Sequence, residues 1–413
     1  MRILWFTNTP SNYSYGGSSY NGGGWISSLE TEVNRLEHIE LAISFLMDNQ
    51  PSVVEVDNVT YFPISIKRMN PVKRIFGKFF NQSSIDEYGI IQCLNVIENF
   101  KPDLIHVFGS EGFFGLLAQY TDIPIIIHIQ GLLNPCYNAY LPPFVSWKQY
   151  LFSQKNIQLF IKKLINNHYW KHQVEREKKI LKCNKYVLGR TIFDYRIPLI
   201  YNKEIEYFHC DEILRPVFYE NHVRHNPKDL VIVSTGSSPM YKGVDLILKT
   251  AKLLKEEMNI DFVWKVFGNI NKQQIEKITK IRHSDVNVEY RGVVNAVGLC
   301  NELLGSSMYV HTSYIDNSPN SVCEAQILGV PCIATNVGGV SSLIDDGISG
   351  YLIPSNDPFQ LCFLINKLYR DKELNDAIGN AGKMAAIKRH DKHKIITSLS
   401  NVYKQMYKRQ NKE

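Results

Sequence analysis

Short apolar runs alternate with amphipathic stretches along nearly the whole chain, and few fold classes accommodate such an alternation. In the first half, the segments with the length and composition of buried strands are residues 3–6, 39–45, 104–107 and 125–129. Segments with a helical spacing of apolar residues lie between them, as at 25–36 and 85–100. Strands that alternate with helices are typical of a parallel sheet covered by helices, which predicts an α/β fold.

The second half repeats the pattern more regularly. Its predicted strands are residues 230–234, 262–267, 286–290, 308–311 and 331–335, and its clearest helices are 244–257 and 272–282. A chain of 413 residues is long enough for two domains of about 100–200 residues each. We therefore predict two doubly wound, Rossmann-like domains at 1–217 and 218–388, followed by a C-terminal helix at 389–413 that packs back on the first domain.

The composition narrows the class of partner. With 44% hydrophobic residues and a net charge of +6, the chain is globular and mildly basic. This suits anionic ligands or an anionic membrane surface and does not indicate nucleic acid. The eight cysteines form no C-x-x-C pair, so we expect no zinc site. No segment resembles a signal peptide or a membrane span of about 20 residues, which predicts a cytoplasmic protein, at most peripheral on the inner face of the cell membrane.

The segment at 308–331 combines a predicted strand, a polar loop and a helix of about three turns. Ser318 is a suitable N-cap, and Pro319 suits the first helical position. Gly329 and Pro331 are expected to end the helix. Such a helix start presents unpaired amides and the positive end of the helix dipole, an arrangement that suits a diphosphate.

Glu324 is an acidic residue on an otherwise largely apolar helix. It follows Ser318 and Ser321 at intervals of three residues, so the three side chains share one face. A carboxylate on a buried helix needs hydrogen-bond donors. The hydroxyls of a sugar or a ribose supply them, and a salt bridge with a nearby arginine is the structural alternative.

The spacing of Asp316 and Glu324 before a Gly-x-Pro sequence resembles the E-x7-E element of the family-4 retaining glycosyltransferases. These enzymes have the GT-B fold, in which two Rossmann-like domains face a central cleft. The resemblance implies that Glu324 binds the ribose of the donor and that Asp316 contacts the transferred sugar. It also implies that the helix start binds the pyrophosphate, through Ser318, Asn320, Ser321 and Val322. The family's first acid is a glutamate, so Asp316 is one methylene shorter.

A second element, Gly236 to Gly243, resembles the family's G-R-x4-K-G. Lys242 matches the lysine that neutralises the charge of the departing phosphate, although a surface lysine beside a turn glycine is the alternative. Ser237 stands where the family has arginine. Arg190 is a candidate replacement, and a structural ion pair between Arg190 and Asp194 is the competing interpretation.

Three other loops resemble further parts of the family's donor site. Gly23 and Gly24 open a helix where glycines let the backbone approach a phosphate or a sugar, unless the loop is simply flexible. Gln130 stands where the family often has a histidine near the transferred sugar, and His128 is either its substitute or an ordinary core histidine. Val293 matches a position whose backbone contacts the base.

Two surfaces mix basic and aromatic residues. Residues 123–174 contain no acidic residue but several lysines, tryptophans, tyrosines and phenylalanines, and residues 67–80 have a similar mixture. Such mixtures suit the interface of an anionic membrane. The alternative is that the aromatic rings belong to the core and the lysines are solvated.

Together the motifs imply a retaining glycosyltransferase of the hexosyltransferase type, resembling those of bacterial surface-polysaccharide biosynthesis. It would transfer a sugar from a nucleotide-sugar donor to a saccharide acceptor, lipid-linked in related enzymes, without a metal or a cofactor. Two alternatives stay open. One is a sugar-nucleotide epimerase of similar fold, and the other is a non-catalytic, membrane-associated protein that binds a sugar nucleotide.

Overall fold

The computed structural model describes residues 1–13, 24–47, 53–66, 82–154, 156–225, 227–237 and 239–410. The predicted site residue Gly23 and the whole of the basic and aromatic segment at 67–80 lie outside the described residues. Contacts between residues divide the chain into two compact units. The first comprises Met1–Asn134, Ile165–Ile213 and His390–Glu413, and the second comprises Pro135–Leu164 and Leu214–Arg389. This division differs from the sequence-based boundaries mainly at 135–164, which cluster with the second unit.

The first unit contains an eight-stranded sheet. Its strands are β1 (Arg2–Thr7), β2 (Glu40–Leu46), β3 (Val54–Val56), β4 (Val59–Ile64), β5 (Leu104–Phe108), β6 (Ile125–His128), β7 (Tyr186–Gly189) and β8 (Glu206–His209). Their order is β3-β4-β2-β1-β5-β6-β7-β8, and all neighbours are parallel except the antiparallel pair β3 and β4. The central strands are almost completely buried because most of their residues are apolar on both faces, as is typical of parallel sheets.

Helices cover this sheet. They are α1 (Gly24–Val33), α2 (Gln82–Phe100), the start of α3 (Leu133–Asn138), most of α5 (Ile157–Cys183), α6 (Ile192–Tyr201) and α13 (Lys392–Gln410). The last of these is the predicted C-terminal helix, and its residues cluster with the first unit. Its Tyr403 is fully buried and accepts a hydrogen bond from the indole of Trp5 on β1 at 3.1 Å. The C-terminal helix is therefore part of this unit's core.

The second unit contains a six-stranded parallel sheet. Its strands are β9 (Leu230–Thr235), β10 (Phe262–Phe267), β11 (Val288–Gly292), β12 (Met308–His311), β13 (Cys332–Thr335) and β14 (Tyr351–Ile353), in the order β11-β10-β9-β12-β13-β14. The five predicted strands are present, with bounds shifted by at most two residues. β14 was not predicted, because a strand of only 3 residues is too short to stand out as an apolar run.

Helices from two parts of the chain belong to the second unit. They are α4 (Trp147–Phe152), α7 (Val244–Lys252), α8 (Lys272–Thr279), α9 (Ala296–Leu304), α10 (Asn320–Ile327), α11 (Pro358–Arg370) and α12 (Lys372–Arg389). The predicted helix at 244–257 is divided, because a π-helical turn at Leu253–Glu257 follows α7. No helix in the described part of the chain is both long enough and apolar enough to cross a membrane.

Strand order fixes where each sheet can bind a ligand. In the second sheet β9 lies between β10 and β12, so the connections that leave β9 and β12 diverge. In the first sheet β1 lies between β2 and β5 in the same way. In open α/β sheets ligands bind at such switch points, outside the carboxyl ends of the strands.

Candidate active site

The loops that follow β9 and β12 meet at the switch point of the second sheet. The amide of Tyr314 donates to the carbonyl oxygen of Tyr241 at 2.6 Å, and the hydroxyl of Thr312 donates to that of Lys242 at 3.3 Å. Gly243 has φ +69°, and a Cβ atom there would lie 1.8 Å from the carbonyl oxygen of Thr312. Only glycine permits this approach, so the loops place Lys242 beside the segment that carries Asp316.

Lys242 and Asp316 form an ion pair. The ammonium Nζ lies 2.7 Å from Oδ2 of Asp316, and Nε2 of His311 lies 3.2 Å from the same oxygen. The hydroxyl of Ser313 donates to Oδ2 at 3.1 Å, and the amide of Asn317 donates to Oδ1 at 3.0 Å. Both predicted catalytic residues of the second unit are thus in one cluster, at the edge where ligands of such sheets bind.

The electrostatics keep this pair charged. Burial raises the pKa of Asp316, but the charge of Lys242 and the nearby imidazole of His311 lower it more, so the pKa lies well below its ordinary value. Burial lowers the pKa of Lys242, but the carboxylate of Asp316 outweighs that effect and raises it. An ammonium has three donors, and the contact with Asp316 leaves others that can reach an anionic ligand.

The helix that follows begins one residue later than predicted. It spans Asn320–Ile327, and Pro319, with ψ 110°, occupies the N-cap position without a side-chain cap. The prediction that Ser318 caps the helix was therefore wrong. The physical reason is that the carbonyl oxygen of Pro319 accepts the first helical hydrogen bonds, from Val322 at 2.9 Å and Cys323 at 3.4 Å, while its own backbone is extended. The helix has about two turns rather than three, and its end near Gly329 is as predicted.

The position at which α10 begins determines which backbone amides are available to a ligand. The amide of Val322 already donates to Pro319, which argues against its predicted contact with a pyrophosphate. The amides of Asn320 and Ser321 have no backbone acceptor among the described residues. The hydroxyl of Ser321 accepts a hydrogen bond from the hydroxyl of Tyr309 at 2.7 Å, which orients the side chain.

Glu324 is buried on α10 and is paired with Arg215. Nε and Nη2 of the guanidinium donate to Oε1 and Oε2 of the carboxylate, each at 2.8 Å. The guanidinium in turn lies 5.1 Å from the centre of the Phe218 ring. The salt bridge that is the structural alternative to ribose binding is therefore present. A carboxylate has about four lone-pair sites, so the pair does not exhaust the acceptors of Glu324.

Two further predicted residues of the second unit lie near strand ends. Gly236 follows β9, and a Cβ atom there would lie 2.9 Å from Cγ2 of Val244, so close packing alone requires glycine. Val293 follows β11, and 41% of its surface is exposed. The structure gives Gly236 a packing role and leaves Val293 accessible.

Arg190 lies at the carboxyl end of β7 and is 4% exposed. Its guanidinium pairs with the carboxylate of Glu212, and Nη2 donates to the carbonyl oxygen of Gln130 at 3.2 Å. Asp194 instead accepts from the backbone amide of Arg190 at 2.8 Å and caps α6 together with Thr191. The interpretation that Arg190 and Asp194 form an ion pair was wrong. The guanidinium of Arg190 pairs with Glu212, and the carboxylate of Asp194 accepts hydrogen bonds from backbone amides. That Arg190 replaces the arginine absent at Ser237 stays a prediction.

The remaining predicted residues of the first unit follow β1 and β6. Gly24 begins α1 with φ +61°, a conformation that favours glycine, and a Cβ atom there would meet nothing within 4 Å. Gln130 lies in the loop after β6, where its carbonyl oxygen holds Arg190. Both residues lie beyond the carboxyl ends of strands in the first sheet, as predicted from their loops.

Sequence reasoning missed Glu111, which follows β5 at the switch point of the first sheet. Its Oε2 accepts a hydrogen bond from Nδ2 of Asn8, after β1, at 3.4 Å. A Cβ atom on Gly109 would lie 1.9 Å from the same oxygen. Burial, aided by the negative charge of Glu177, raises the pKa of Glu111 to about 7. The available signal was the sequence Gly-Ser-Glu-Gly directly after an apolar run.

Residues 218–385 match the sequence model of the family described as Glycosyl transferases group 1. This part of the chain is a group 1 glycosyltransferase domain. An uncharacterized glycosyltransferase of Methanocaldococcus jannaschii is 24% identical over 365 residues, which cover 84% of this chain and 96% of that protein. Sugar transfer is the activity that the domain and this relative indicate.

Two solved structures resemble the whole chain. Sucrose-phosphate synthase from Thermosynechococcus elongatus has a TM-score of 0.73 at 15% identity, covering 98% of this chain and 99% of that chain. HepE from Anabaena, solved in complex with UDP-glucose, has a TM-score of 0.66 at 11% identity. The match covers 98% of this chain and 100% of that chain. Such low identities concern the fold alone, and the predicted α/β fold of the GT-B class, with two parallel-sheet domains, is confirmed.

The group 1 domain contains the Lys242–Asp316 pair and all of α10, including Glu324. Arg215, the partner of Glu324, lies just before the matched region. The elements that resembled a glycosyltransferase in the sequence are thus within the part of the chain that matches the family.

Proposed function

We propose that this protein is a retaining glycosyltransferase that transfers a sugar from a nucleoside-diphosphate sugar to a saccharide acceptor. The observation that carries the proposal is the Lys242–Asp316 pair at the switch point of the second sheet, next to the start of α10. A partly buried ammonium beside two helix amides that have no backbone acceptor among the described residues is a site for a diphosphate. A carboxylate on that ammonium adds an acceptor for sugar hydroxyls.

In the proposed binding mode, the diphosphate lies between Nζ of Lys242 and the amides of Asn320 and Ser321. Asp316 keeps one hydrogen bond to Lys242 and accepts another from the sugar. Glu324, held by Arg215, accepts from the ribose hydroxyls. Among the relatives of known structure, HepE binds UDP-glucose, which makes uridine diphosphate and its sugar conjugates the first donors to test.

The proposed reaction needs no carboxylate as a nucleophile. The bond between the anomeric carbon and the phosphate oxygen breaks, and negative charge accumulates on the leaving diphosphate, where Lys242 and the helix amides stabilise it. The acceptor oxygen bonds to the anomeric carbon on the same face, and its proton passes to the departing phosphate oxygen. The protein mainly positions the two substrates and stabilises the developing charge.

The surface at 147–164 favours a lipid-linked acceptor. Phe152, Ile157 and Ile161 are 64%, 67% and 49% exposed, and the segment carries Lys162 and Lys163 but no acidic residue. Exposed apolar side chains among lysines suit an anionic membrane. Tyr150, by contrast, is fully buried and belongs to the core. We propose that this surface brings the enzyme to the cytoplasmic face of a membrane that carries the acceptor.

Flotation with liposomes tests the membrane contact. We expect the protein to float with vesicles that contain anionic phospholipid and not with neutral vesicles. A variant with Lys148→Glu and Lys162→Glu should lose flotation while its melting temperature is unchanged, because both side chains are exposed. Equal flotation with neutral vesicles, or none at low salt, would contradict this part of the proposal.

Turnover separates the proposal from its two rivals. Incubation of the protein with UDP-sugars should release UDP when a saccharide or lipid-linked saccharide acceptor is added, and the NMR coupling constant of the product should show the anomeric configuration of the donor. Conversion of the donor without acceptor would favour an epimerase. Donor binding without any turnover across a panel of acceptors would favour a binding protein.

A further inference from the structure

Four buried side chains of the first unit form one continuous hydrogen-bonded chain that the proposed donor site does not use. The indole Nε1 of Trp5 lies 3.1 Å from the hydroxyl of Tyr403, and that hydroxyl lies 2.6 Å from Nδ1 of His106. Nε2 of His106 lies 3.2 Å from Nδ1 of His128. All four residues are completely buried, and they come from β1, α13, β5 and β6. The chain thus runs from the C-terminal helix through the sheet to the end of β6.

The donors of Trp5 and Tyr403 favour one direction for the protons of this hydrogen-bonded chain, and the buried proton of Tyr403 decides it because His106 is its acceptor. An indole N–H can only donate, so the oxygen of Tyr403 accepts from Trp5. The single proton of Tyr403 then donates to Nδ1 of His106. His106 must therefore carry its proton on Nε2 and donate it to Nδ1 of His128. It follows that His128 carries its own proton on Nε2.

The rings suit this arrangement. The planes of His106 and His128 are inclined by only 15°, with centroids 5.3 Å apart, so the hydrogen bond runs nearly in the plane of both rings. Burial lowers the pKa of His106 to about 3. Burial, together with the nearby imidazole of His106 and the guanidinium of Arg190, holds the pKa of His128 well below its ordinary value. Both rings are neutral, so each carries one proton.

The opposite direction is less favourable. If Nδ1 of His106 donated to Tyr403, the oxygen of Tyr403 would accept two hydrogen bonds and its own buried proton would have no acceptor. His128 would then present an unprotonated Nε2. A buried unpaired donor is costly, which favours the first direction.

The chain ends at a nitrogen that nothing satisfies among the described residues. Nε2 of His128 is buried and has no hydrogen-bond partner there. His128 is the last residue of β6, at the carboxyl edge of the sheet, and the ring of Trp25 lies 5.1 Å away in an edge-on arrangement. A neutral donor at this edge, held by three residues behind it, is suited to a neutral oxygen such as a saccharide hydroxyl.

We propose that His128 donates a hydrogen bond from Nε2 to a saccharide oxygen, and that Tyr403 and His106 are positioning residues that hold His128 in this tautomer. The inference rests on the proposed sugar transfer for its ligand. The direction of the chain does not depend on the ligand and can be tested without one. The C-terminal helix then contributes to substrate recognition through Tyr403.

NMR of the histidine rings tests the tautomers directly. In the full-length protein labelled with 15N, long-range 1H–15N spectra distinguish protonated from unprotonated ring nitrogens, and His106→Gln and His128→Gln spectra provide the assignments. We expect Nε2 protonated and Nδ1 unprotonated in both rings, unchanged between about pH 5.5 and 8 because both pKa values are lowered. A proton on Nδ1 of His128, or a charged ring, would overturn the proposal.

Variants of the residues in this hydrogen-bonded chain test its effect on substrate turnover. Tyr403→Phe removes the donor to His106, so we expect a mixture of tautomers at His128 and a five- to thirty-fold loss of kcat/KM. Trp5→Phe is the matched control, because it removes a buried N–H from the same chain but leaves Tyr403 free to donate to His106. It should keep the tautomer and most of the activity. Equal losses in both variants, with the tautomer unchanged, would mean a structural role alone.

Substitutions of His128 locate the saccharide. His128→Gln keeps an N–H donor near the position of Nε2, whereas His128→Leu keeps none, so Gln should retain several-fold more activity than Leu. A rise in KM for the acceptor alone would place the contact on the acceptor, and a rise in KM for the donor alone would place it on the transferred sugar. Identical activity of the two variants would overturn the contact. Absence of any transfer in the wild type would contradict the proposed function instead, and the NMR result would still decide the tautomer.

Discussion

Arg215 donates to both carboxylate oxygens of Glu324, at 2.8 Å each, across 109 residues of sequence. The carboxylate side chain is 3% exposed and that of the arginine 21%, so the acidic group is fixed from one side by a partly solvated cation. This pair links Arg215 to the middle of helix α10 whether or not a ligand binds. What the pair does beyond stability is an experimental question that two matched variants answer.

Glu324→Gln and Arg215→Met remove the two halves of the pair. Both should lower the melting temperature, because each leaves a buried or half-buried polar group with fewer partners, at a cost of about 1–3 kcal/mol. If Glu324 binds ribose, Glu324→Gln should also weaken the affinity for UDP at least about tenfold, or 1.4 kcal/mol, and more than Arg215→Met does. Calorimetric titration measures both affinities. Pyrophosphate, which lacks ribose, should bind the wild type and Glu324→Gln alike, and an equal effect on both ligands would reduce Glu324 to a structural role.

Lys242→Met removes the cation proposed to stabilise the leaving diphosphate. Loss of one group that stabilises developing charge typically lowers kcat by about 10²–10³-fold, and we expect a change of that size in UDP release. Lys249→Met is the control, because Lys249 is also paired with an aspartate, Asp245, at 3.0 Å but lies on α7. We expect near-normal turnover for Lys249→Met. Similar losses of turnover in both variants would count against a specific role for Lys242.

Gly243 tests how tightly the two loops are held together. Gly243→Ala places a Cβ atom 1.8 Å from a carbonyl oxygen, whereas Gly292 has the same φ of +69° with nothing within 4 Å. Gly292→Ala should therefore cost only the backbone penalty of about 1 kcal/mol. Gly243→Ala should cost clearly more and should weaken donor binding, because Lys242 precedes it. Denaturant titrations of both variants measure the difference, and equal destabilisation would show that the loops separate without cost.

The raised pKa of Glu111 predicts that the stability of the folded protein depends on pH. Burial raises its pKa from 4.5 to about 7, so the folded state favours the protonated form. The wild type should lose stability as the pH rises from about 4.5 to 7, by at most about 3 kcal/mol at 1.36 kcal/mol per unit, and by less because the side chain is not fully enclosed. Glu111→Gln removes this dependence. Its melting temperature relative to the wild type should therefore increase between pH 5 and pH 8, and a constant difference would contradict the raised pKa.

Five strands of the second sheet could be predicted from sequence because they are short, mostly apolar and for the most part separated by clear helices. The edge strands of the first sheet were harder to predict. β8 has only partly buried or exposed positions and contains Glu206 and His209, so it lacks an apolar run. β4 contains Pro63 and pairs with β3 in a hairpin outside the helix–strand alternation. Edge strands carry mixed residues because one side of each is solvated, which removes the signal that prediction uses.

At the candidate site, too, some contacts could be predicted from the sequence and others could not. The meeting of Lys242 and Asp316 could be predicted, because both follow strands whose carboxyl ends share one edge. The Arg215–Glu324 and Trp5–Tyr403–His106 contacts could not, because they join residues far apart in sequence whose side chains carry no shared pattern. The helix start was misplaced by one residue, since the ψ angle of Pro319 decides it and a serine before a proline does not.

A nucleoside diphosphate should bind at the switch point of the second sheet. Isothermal titration calorimetry with UDP, other nucleoside diphosphates and their sugar conjugates tests it most directly, on the wild type and on Lys242→Met. We predict that at least one of these ligands binds the wild type with micromolar affinity and binds Lys242→Met at least about tenfold more weakly. Absence of binding to the wild type across the panel, or equal affinity of the two proteins for a ligand that does bind, would contradict the claim.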